Sequence, residues 1–151
     1  MTKKGFDVLE GVISSGKKNL ISSVVIGRDK NIQCDYSNEI MKLCSLNNIK
    51  HKFRDKNELI ESDIIIAISW RWIISNKNCQ KIIVLHDSIL PKYRGFSPLV
   101  NMLINGEKTI GATALLASDK YDEGDILEQM SKPISYPIKI KEAIEIMGQI
   151  Y

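Results

Sequence analysis

The sequence predicts an α/β domain with a mostly parallel sheet and helices on both of its faces. Short apolar runs rich in β-branched residues alternate along the chain with segments whose apolar residues recur at helical spacing. Several of these runs are apolar throughout, which is typical of parallel strands covered on both faces. A chain of 151 residues, 44% of them hydrophobic, has the size and composition for one core. We therefore expect residues 1–151 to form a single domain.

The first two helices are predicted from apolar spacing and from end signals. Apolar side chains recur at helical spacing in residues 6–13, and Gly16 ends this helix. A second apolar face, in residues 40–44, begins near Ser37, a residue type that caps helices, and ends near Asn47. Both segments are amphipathic, as expected for helices that cover a sheet.

Two further helices and a set of strands follow. Ser97 is expected to cap the third helix, Pro98 to occupy its first position, and Gly106 to lie beyond its end. Residues 140–147 carry the apolar spacing of a last helix. The apolar runs between the helices predict strands at 21–26, 49–53, 64–70, 82–85, 110–117 and 126–130.

The order of the predicted elements departs from a usual doubly wound sheet at its beginning. This chain opens in a helix, whereas such a sheet normally opens with a strand that becomes central. The last predicted helix runs to Tyr151 without a stop signal. We therefore expect the first strand of the fold to be missing and the domain to be incomplete at one or both ends.

Composition limits the classes of partner. The 21 Lys and Arg residues are interleaved with 18 Asp and Glu residues, so no basic face is visible and we expect no nucleic-acid partner. The longest apolar run, residues 64–68, is far shorter than a membrane helix, and the N-terminus lacks the apolar core of a signal peptide. The scattered Cys34, Cys44 and Cys79 suggest reduced thiols. A cytoplasmic location without a membrane partner is therefore predicted, and the oligomeric state stays open.

Two local patterns indicate little. Residues 11–17 have the GxxxxGK spacing of a phosphate-binding loop, but Lys18 follows where a serine or threonine would hold magnesium, and the segment is predicted as helix. The acidic residues within 119–125 lack the alternation of a calcium loop. We expect a solvated loop with one functional carboxylate there, and no metal.

The most informative stretch follows the predicted fourth strand. His86 lies one residue past the end of that strand, at the edge of a parallel sheet where ligands bind. Pro91 and Gly95 then shape a turn that carries Lys92 and Arg94. A histidine in this place is by itself more often structural than catalytic, whereas its combination with a basic turn indicates a site.

Four stretches carry a resemblance to a known family: His-Asp-Ser-Ile-Leu-Pro-Lys-Tyr-Arg-Gly at 86–95, Asn-Gly-Glu at 105–107, Ile-Gly-Ala-Thr at 110–113 and Tyr-Asp-Glu-Gly-Asp-Ile at 121–126. They resemble the signature of the folate-dependent formyltransferases, which include the methionyl-tRNA, glycinamide ribonucleotide and sugar-nucleotide enzymes. The resemblance is close over residues 64–129. It implies a Rossmann-like formyltransferase fold, transfer of a formyl group to an amine, and N10-formyltetrahydrofolate as the formyl donor.

The resemblance also implies which residues form the site. His86 corresponds to the catalytic histidine of the family and Asp122 to its catalytic aspartate. Spacing alone would assign the two tryptophans that follow the third strand to the core. The resemblance instead implies that the folate contacts, mainly through backbone, the segment Trp70, Arg71, Trp72, Ile73 and Ile74, and on an opposite wall Ala117, Ser118 and Tyr121. The acceptor substrate is expected to contact Ser88, Lys92 and Arg94.

The chemistry of formyl transfer explains these residue types. When an amine attacks the formyl carbon, negative charge builds up on the formyl oxygen. A histidine kept protonated by a nearby carboxylate can donate a hydrogen bond to that oxygen. The carboxylate can also take a proton from the attacking amine, directly or through water. The reaction requires no metal.

One residue departs from the family pattern. The family has an asparagine two residues before the catalytic histidine, and this chain has Val84. Valine donates no hydrogen bond, and the loss of one oxyanion donor typically costs about 10²–10³ in rate, or roughly 2.7–4 kcal/mol. Two alternatives to a formyltransferase therefore stay open. One is an impaired or non-catalytic domain that binds folate, a nucleotide sugar or a partner, and the other is a formyl hydrolase.

The acceptor amine follows only from elimination. A transfer-RNA formyltransferase carries a further C-terminal domain, for which 151 residues leave no room. The purine enzyme carries a glycine-rich phosphate loop after its first strand, and that region is absent from this sequence. An amino sugar on a nucleotide carrier is the acceptor that this elimination favours.

Overall fold

The computed structural model describes residues 2–29, 34–54, 62–74 and 80–151. Cys79 lies outside these residues, so its predicted state as a reduced thiol stays a prediction. The described residues divide into two compact units, unit 1 within Met1–Ser62 and Ser69–Ser75, and unit 2 within Asp63–Ile68 and Asn76–Tyr151. The expectation of one domain over the whole chain likewise stays a prediction.

Unit 1 is a small α/β layer. Its elements are α1 (Lys3–Ser14), β1 (Val24–Ile26), α2 (Ser37–Leu46) and β2 (His51–Phe53), and the two strands pair in parallel. Helix α2 packs on both strands and α1 packs on α2, so their apolar side chains share one core. The core of the unit is formed by side chains that are at most 7% exposed, namely Leu9, Ile26, Ile40, Cys44 and Ile49.

The helix ends of unit 1 follow the predictions with one correction. Gly16 ends α1 with a positive φ of 75°, and Asn47 caps the C-terminus of α2. Ser37, the predicted cap, is instead the first residue of α2, and its amide donates to Asp35 Oδ1 at 2.7 Å. The carboxylate of Asp35, two residues earlier, therefore satisfies one of the amides that have no partner within the helix.

Two other predicted features of unit 1 are clarified by the structure. The strand predicted at 21–26 begins at Val24, because a 3₁₀ turn, Lys18–Leu20, occupies the residues before it. The GxxxxGK stretch at 11–17 lies in α1 and in the turn after it. It does not form the strand-to-helix loop that a phosphate site needs.

Unit 2 contains a four-stranded sheet in the order β3-β4-β5-β6. Its elements in chain order are β3 (Ile64–Ile68), β4 (Lys81–His86), α3 (Pro98–Ile104), β5 (Thr109–Leu116), β6 (Ile126–Pro133) and α4 (Ile140–Ile150). Strands β3 and β4 are parallel, whereas β4 pairs with β5 and β5 with β6 in antiparallel fashion. The α/β class is confirmed.

The antiparallel pairs differ from the parallel arrangement that the apolar runs predicted. Strands β5 and β6 are joined by residues 117–125 alone, and a connection without a crossover helix returns the chain in the opposite direction. Strand β5 is buried over most of its length and α4 packs on it, so its run of apolar and small residues resembles that of a buried parallel strand.

The core of unit 2 lies between the two helices and β5. It consists of side chains that are at most 8% exposed, namely Leu99, Met102, Ile110, Ala112, Ile134, Ala143, Met147 and Ile150. A fully buried side chain the size of Met147 contributes about 1.5–3 kcal/mol relative to exposure. In the described residues, no helix has both the length and the hydropathy that a membrane span requires.

The first residue of α3 is predicted correctly, but the predicted cap hydrogen bond from the side chain of Ser97 is not formed. Pro98 is the first helical residue, as expected. Ser97 precedes it with a left-handed φ of 54°, and its side chain makes no cap hydrogen bond. The helix instead begins with the carbonyl of Ser97 accepting from the amide of Asn101 at 3.1 Å.

Two tertiary contacts bring loops of unit 2 against the sheet. A Cβ atom on Gly124 would lie 1.7 Å from the carbonyl oxygen of Leu116, so the loop before β6 crosses the end of β5 at a distance that only glycine permits. At the end of α4, the hydroxyl of Tyr151 donates to Asp87 Oδ1. Burial, followed by the charge of Asp87 and the hydrogen bond to it, raises the pKa of Tyr151 well above its usual range.

We expect Gly124→Ala to destabilise the protein by at least about 2 kcal/mol, because its methyl group would overlap the backbone of Leu116. Gly11→Ala is the matched control. Its Cβ would meet nothing within 4 Å, so it should stabilise α1 by about 0.5–1 kcal/mol. Urea unfolding followed by circular dichroism gives both changes. Equal stability of Gly124→Ala and the parent would contradict the close approach.

A second prediction concerns alkaline pH. Because the pKa of Tyr151 is raised in the folded state, folding retains a proton that an unfolded tyrosine loses above about pH 10. Stability from this group is therefore complete below pH 10 and declines as pH rises further, by up to about 1.4 kcal/mol per pH unit.

Urea midpoints between pH 8 and pH 11 measure this decline. The free energy of unfolding of the parent should fall more steeply above pH 10 than that of Tyr151→Phe. Tyr121→Phe is the control, because it also removes a tyrosine hydroxyl but from a side chain that is 83% exposed. Its free energy of unfolding should depend on pH as that of the parent does. Parallel curves for the parent and Tyr151→Phe would show that Tyr151 is not held as the structure describes.

Candidate active site

His86 is the last residue of β4 and is only 7% exposed. Side chains alternate along a strand, so His86 lies on the same face of the sheet as Val84. The Nε2 atom of its ring lies 2.9 Å from the carbonyl oxygen of Tyr93 and donates to it. This contact fixes the ring through Nε2, so that Nδ1 is the nitrogen on the opposite side of the contact with Tyr93.

Asp122 lies in the loop between β5 and β6, with a left-handed φ of 54°. Its Oδ1 atom is 3.5 Å from Nδ1 of His86, and both side chains are largely buried. Its Oδ2 atom accepts the amide proton of Gly95 at 2.9 Å. The two residues that the resemblance assigned to catalysis therefore lie side by side in unit 2, and their roles stay predictions.

One loop holds both of these side chains. In residues 91–97, the carbonyl of Tyr93 accepts from His86 and the amide of Gly95, two residues later, donates to Asp122. Both ring nitrogens of His86 thus face oxygen acceptors. Only a doubly protonated imidazole could donate a hydrogen bond to both of them at once.

A buried hydrogen-bond network fastens the start of this loop to the sheet. Thr113, fully buried on β5, donates to the carbonyl of Ser88 at 2.6 Å and accepts from the amide of Leu90 at 3.1 Å. Gln129 on β6 donates to the hydroxyl of Thr113 and to the carbonyl of Leu90, both at 2.9 Å. These buried polar groups satisfy one another, so the loop takes a single position.

The residues expected to contact the acceptor differ in accessibility. Ser88 is fully buried and donates to the carbonyl of Lys92 at 2.7 Å. It therefore supports the turn, and its expected contact with the acceptor stays a prediction. Lys92 and Arg94 are exposed. Lys92 Nζ lies 3.7 Å from Glu107, and Arg94 lies 3.3 Å from Glu123, in surface pairs that hold little free energy and can exchange for an anionic ligand.

The rest of the loop before β6 is open to solvent. Ala117, Ser118 and Tyr121, the predicted second wall of the folate pocket, are exposed, and Ser118 donates to the carbonyl of Lys120 at 2.8 Å. The acidic residues of this loop have separate partners, since Asp122 faces His86 while Glu123 pairs with Arg94.

The predicted pterin segment belongs to unit 1. Trp70 and Trp72 are half-buried and meet edge to face at 5.0 Å, and Arg54 lies 4.6 Å above the ring of Trp72. The side chain of Arg71 pairs with Asp29, which leaves the backbone of this residue for a ligand. Ile73 is 88% exposed and Ile74 is half-buried.

Two polar atoms of the same segment are buried without a partner. In the part of the chain that the structure describes, Ser69 Oγ and Trp70 Nε1 make no hydrogen bond. Unpaired buried polar atoms are rare in folded proteins because each costs free energy. Their presence fits a polar ligand such as a pterin ring at this segment.

The sequence did not identify several residues that build the site. Tyr93 acts through its carbonyl and Gly95 through its amide, and neither role depends on a side chain that a pattern could reveal. Gln129 is 16 residues from Thr113 along the chain and was not singled out, although an amide on a strand beside a buried threonine is a usable signal. Thr113 lay within a stretch that carried the resemblance.

The chain is similar in sequence to known proteins, but the similarity covers only part of the length of each relative. A methionyl-tRNA formyltransferase of Hydrogenobaculum sp. (strain Y04AAS1) is 45% identical over 85 residues, which are 52% of this chain and 28% of that protein. The chain therefore spans less than a third of the length of this curated relative.

Solved structures show the fold. Glycinamide ribonucleotide transformylase 1 from Geobacillus kaustophilus has a TM-score of 0.73 at 15% identity, over 98% of this chain and 86% of that one. The formyltransferase PseJ from Anoxybacillus kamchatkensis has a TM-score of 0.60 at 19% identity, over 85% of this chain and 69% of that one. The predicted Rossmann-like formyltransferase fold is confirmed. Since residues 14–145 also match the family described as formyl transferase, this chain belongs to the formyl transferase family.

Proposed function

We propose that this chain transfers a formyl group from N10-formyltetrahydrofolate to a primary amine, with His86 and Asp122 as the catalytic residues. One observation carries the proposal, namely that Nδ1 of His86 lies 3.5 Å from Oδ1 of Asp122 while a single loop holds both side chains. The family match over residues 14–145 supports the reaction class. The structural neighbour PseJ is complexed with tetrahydrofolate, which supports the class of formyl donor.

His86 acts through Nδ1 in this proposal, because Nε2 already donates to the carbonyl of Tyr93. The formyl donor supplies an acyl carbon whose oxygen gains negative charge when an amine attacks. The Nδ1–H group donates to that oxygen as the charge develops. Because the ring is only 7% exposed, little water screens this interaction.

Asp122 has two functions in the same step. Its Oδ1 atom stabilises the positive charge of the doubly protonated ring. The carboxylate also accepts the proton that the acceptor amine loses as the new C–N bond forms, directly or through water. As the old bond from the formyl carbon to N10 breaks, the carboxyl group of Asp122 passes that proton on to N10, directly or through water, so the transfer leaves the charge of the protein unchanged. Gly95 keeps the carboxylate in one orientation throughout.

The folate is proposed to lie against the backbone of residues 70–74, with the polar edge of the pterin near Ser69 Oγ and Trp70 Nε1. These two buried atoms are the support for this placement, because a ligand would provide the partners that the protein does not. The other expected folate contacts, Ala117, Ser118 and Tyr121, belong to unit 2, where all three are exposed; their role stays a prediction.

For the acceptor we propose an amino sugar on a nucleotide carrier. Lys92 and Arg94 offer positive charge for its phosphates, and the exposed ring of Phe96, 82% accessible, offers a surface for its base. Methionyl transfer RNA is a second candidate, favoured by the 45% identity over 85 residues to a methionyl-tRNA formyltransferase. Chain length does not separate the two, because the matched region is itself less than a third of that relative.

We expect His86→Ala and Asp122→Asn each to lower formyl transfer at least 100-fold, since each removes a group that handles charge or a proton at the reacting atoms. His51→Ala removes the other histidine of the chain, and Asp119→Asn removes an exposed carboxylate from the same loop as Asp122. Both controls should retain the parent rate.

Transfer is measured with N10-formyltetrahydrofolate and each of the two acceptors in separate reactions. Formate release without an acceptor is followed alongside and reports hydrolysis. Parent-level transfer by either active-site variant would remove that residue from the mechanism. Formate release that no acceptor suppresses would favour a formyl hydrolase.

Val84→Asn is expected to raise formyl transfer by ten-fold or more, with about 10²–10³ as the upper range, because the amide supplies the missing oxyanion donor. Val84 lies between Ala67 of β3 and Leu115 of β5, so a change in size alone also disturbs packing. Val84→Ala serves as the control for packing and should not raise the rate.

The same variants distinguish the alternatives to an enzyme. If the parent and Val84→Asn both bind a formylfolate analogue by calorimetry and neither transfers nor hydrolyses, the domain is a binding module. A lower rate in Val84→Asn than in the parent would show that valine serves the reaction better than the family residue.

A further inference from the structure

We propose that Tyr93 and Glu107 are positioning residues that set the ring of His86. The inference deepens the proposed function, on which its catalytic meaning rests, and its structural content can be tested without any activity. Tyr93 contacts His86 through its carbonyl, and Glu107 holds Tyr93 through its hydroxyl. Neither residue reaches the reacting atoms in this arrangement.

The carbonyl of Tyr93 determines which ring nitrogen of His86 is engaged in a hydrogen bond with the protein. It lies 2.9 Å from Nε2, whereas Nδ1 of the same ring is 3.5 Å from the carboxylate of Asp122. A ring held at Nε2 cannot turn over to present that nitrogen to a ligand. The orientation that places Nδ1 beside Asp122 therefore depends on where the carbonyl of Tyr93 points.

The backbone of Tyr93 does not adopt that orientation unaided. Its φ is +59°, in the left-handed region that bulky residues rarely occupy. Such a conformation persists when surrounding contacts determine it. Two contacts hold Tyr93: its hydroxyl donates to Glu107 Oε1 at 2.8 Å, and Asn105 Nδ2 donates to the same hydroxyl at 3.1 Å.

Glu107 is itself held at the turn between α3 and β5. Its amide donates to the carbonyl of Met102 at 3.0 Å, and its carbonyl accepts from the hydroxyl of Tyr136 at 2.9 Å. Its carboxylate is partly buried and lies 3.7 Å from Lys92 Nζ. A continuous path of contacts thus runs from this turn through Tyr93 to His86.

Nuclear magnetic resonance of the full chain labelled with ¹⁵N-histidine tests the inference directly. The chain has two histidines, so His51→Gln assigns the two sets of ring signals. Long-range ¹H–¹⁵N correlation gives the tautomer of His86, and solvent exchange of its Nε2 proton gives the strength of the contact to Tyr93.

We expect His86 of the parent to hold its proton on Nε2 as a single tautomer whenever the ring is neutral. In Tyr93→Phe the Nε2 proton should exchange at least five-fold faster and the tautomers should mix. Glu107→Leu should produce the same changes, whereas Glu107→Gln, whose amide oxygen still accepts from the tyrosine, should keep the parent signals. Tyr121→Phe, which removes an exposed hydroxyl, is the matched control.

Kinetics supply the second arm. With formyl transfer active, Tyr93→Phe should lower kcat at least five-fold while the KM for the formyl donor stays within two-fold, and Glu107→Gln should restore kcat to within two-fold of the parent. Unchanged tautomer and exchange in folded Tyr93→Phe overturn the inference, whatever the activity. If His86 responds as expected but no variant transfers formyl groups, the positioning contacts stand and the proposed function fails.

Discussion

The arrangement of the site depends on one pair of backbone contacts. Within a single loop, the carbonyl of Tyr93 accepts from Nε2 of His86 and the amide of Gly95 donates to Oδ2 of Asp122. Side chains on a strand end and on a distant loop would otherwise have independent rotamers. Because both peptide groups belong to one loop whose backbone is held by Thr113 and Gln129, they set the imidazole and the carboxylate at one separation. Side chains held in this way need no reorganisation when charge develops beside them.

The loop can act as a rigid support only because its own position is determined. The hydroxyl of Thr113 and the amide of Gln129 bind its backbone at Ser88 and Leu90 from two neighbouring strands. Gly124 allows the second loop to cross β5 closely enough to bring Asp122 to the same place. These contacts are short hydrogen bonds or, at Gly124, an approach too close for any other residue. A substitution at one of them would therefore shift the positions of His86 and Asp122.

Val84 reduces the number of hydrogen-bond donors on the face of β4 that carries His86. It occupies the position on β4 that shares a face with His86, yet it contributes no donor. All hydrogen-bond donation to a developing oxyanion from the residues proposed here then depends on His86. When a site has one donor, its rate depends strongly on the orientation of that donor. The contacts of Tyr93 and Glu107, which set the ring of His86, are therefore expected to matter more in this chain.

The sequence by itself determined the α/β class and the approximate place of each helix and strand, which follow from periodicity and end signals. Its resemblance to the formyltransferases, and not its periodicity, singled out His86 and Asp122 as a pair. It did not determine the antiparallel course of β5 and β6, because the buried run of β5 resembles that of a parallel strand and the largely exposed β6 carries no signal of direction. It also did not reveal Tyr93, Gly95 or Asp35, which act through peptide groups or by local geometry. Only the tertiary structure decided which backbone atoms meet the two side chains, since every residue carries the same amide and carbonyl and only the folded path of the chain selects among them.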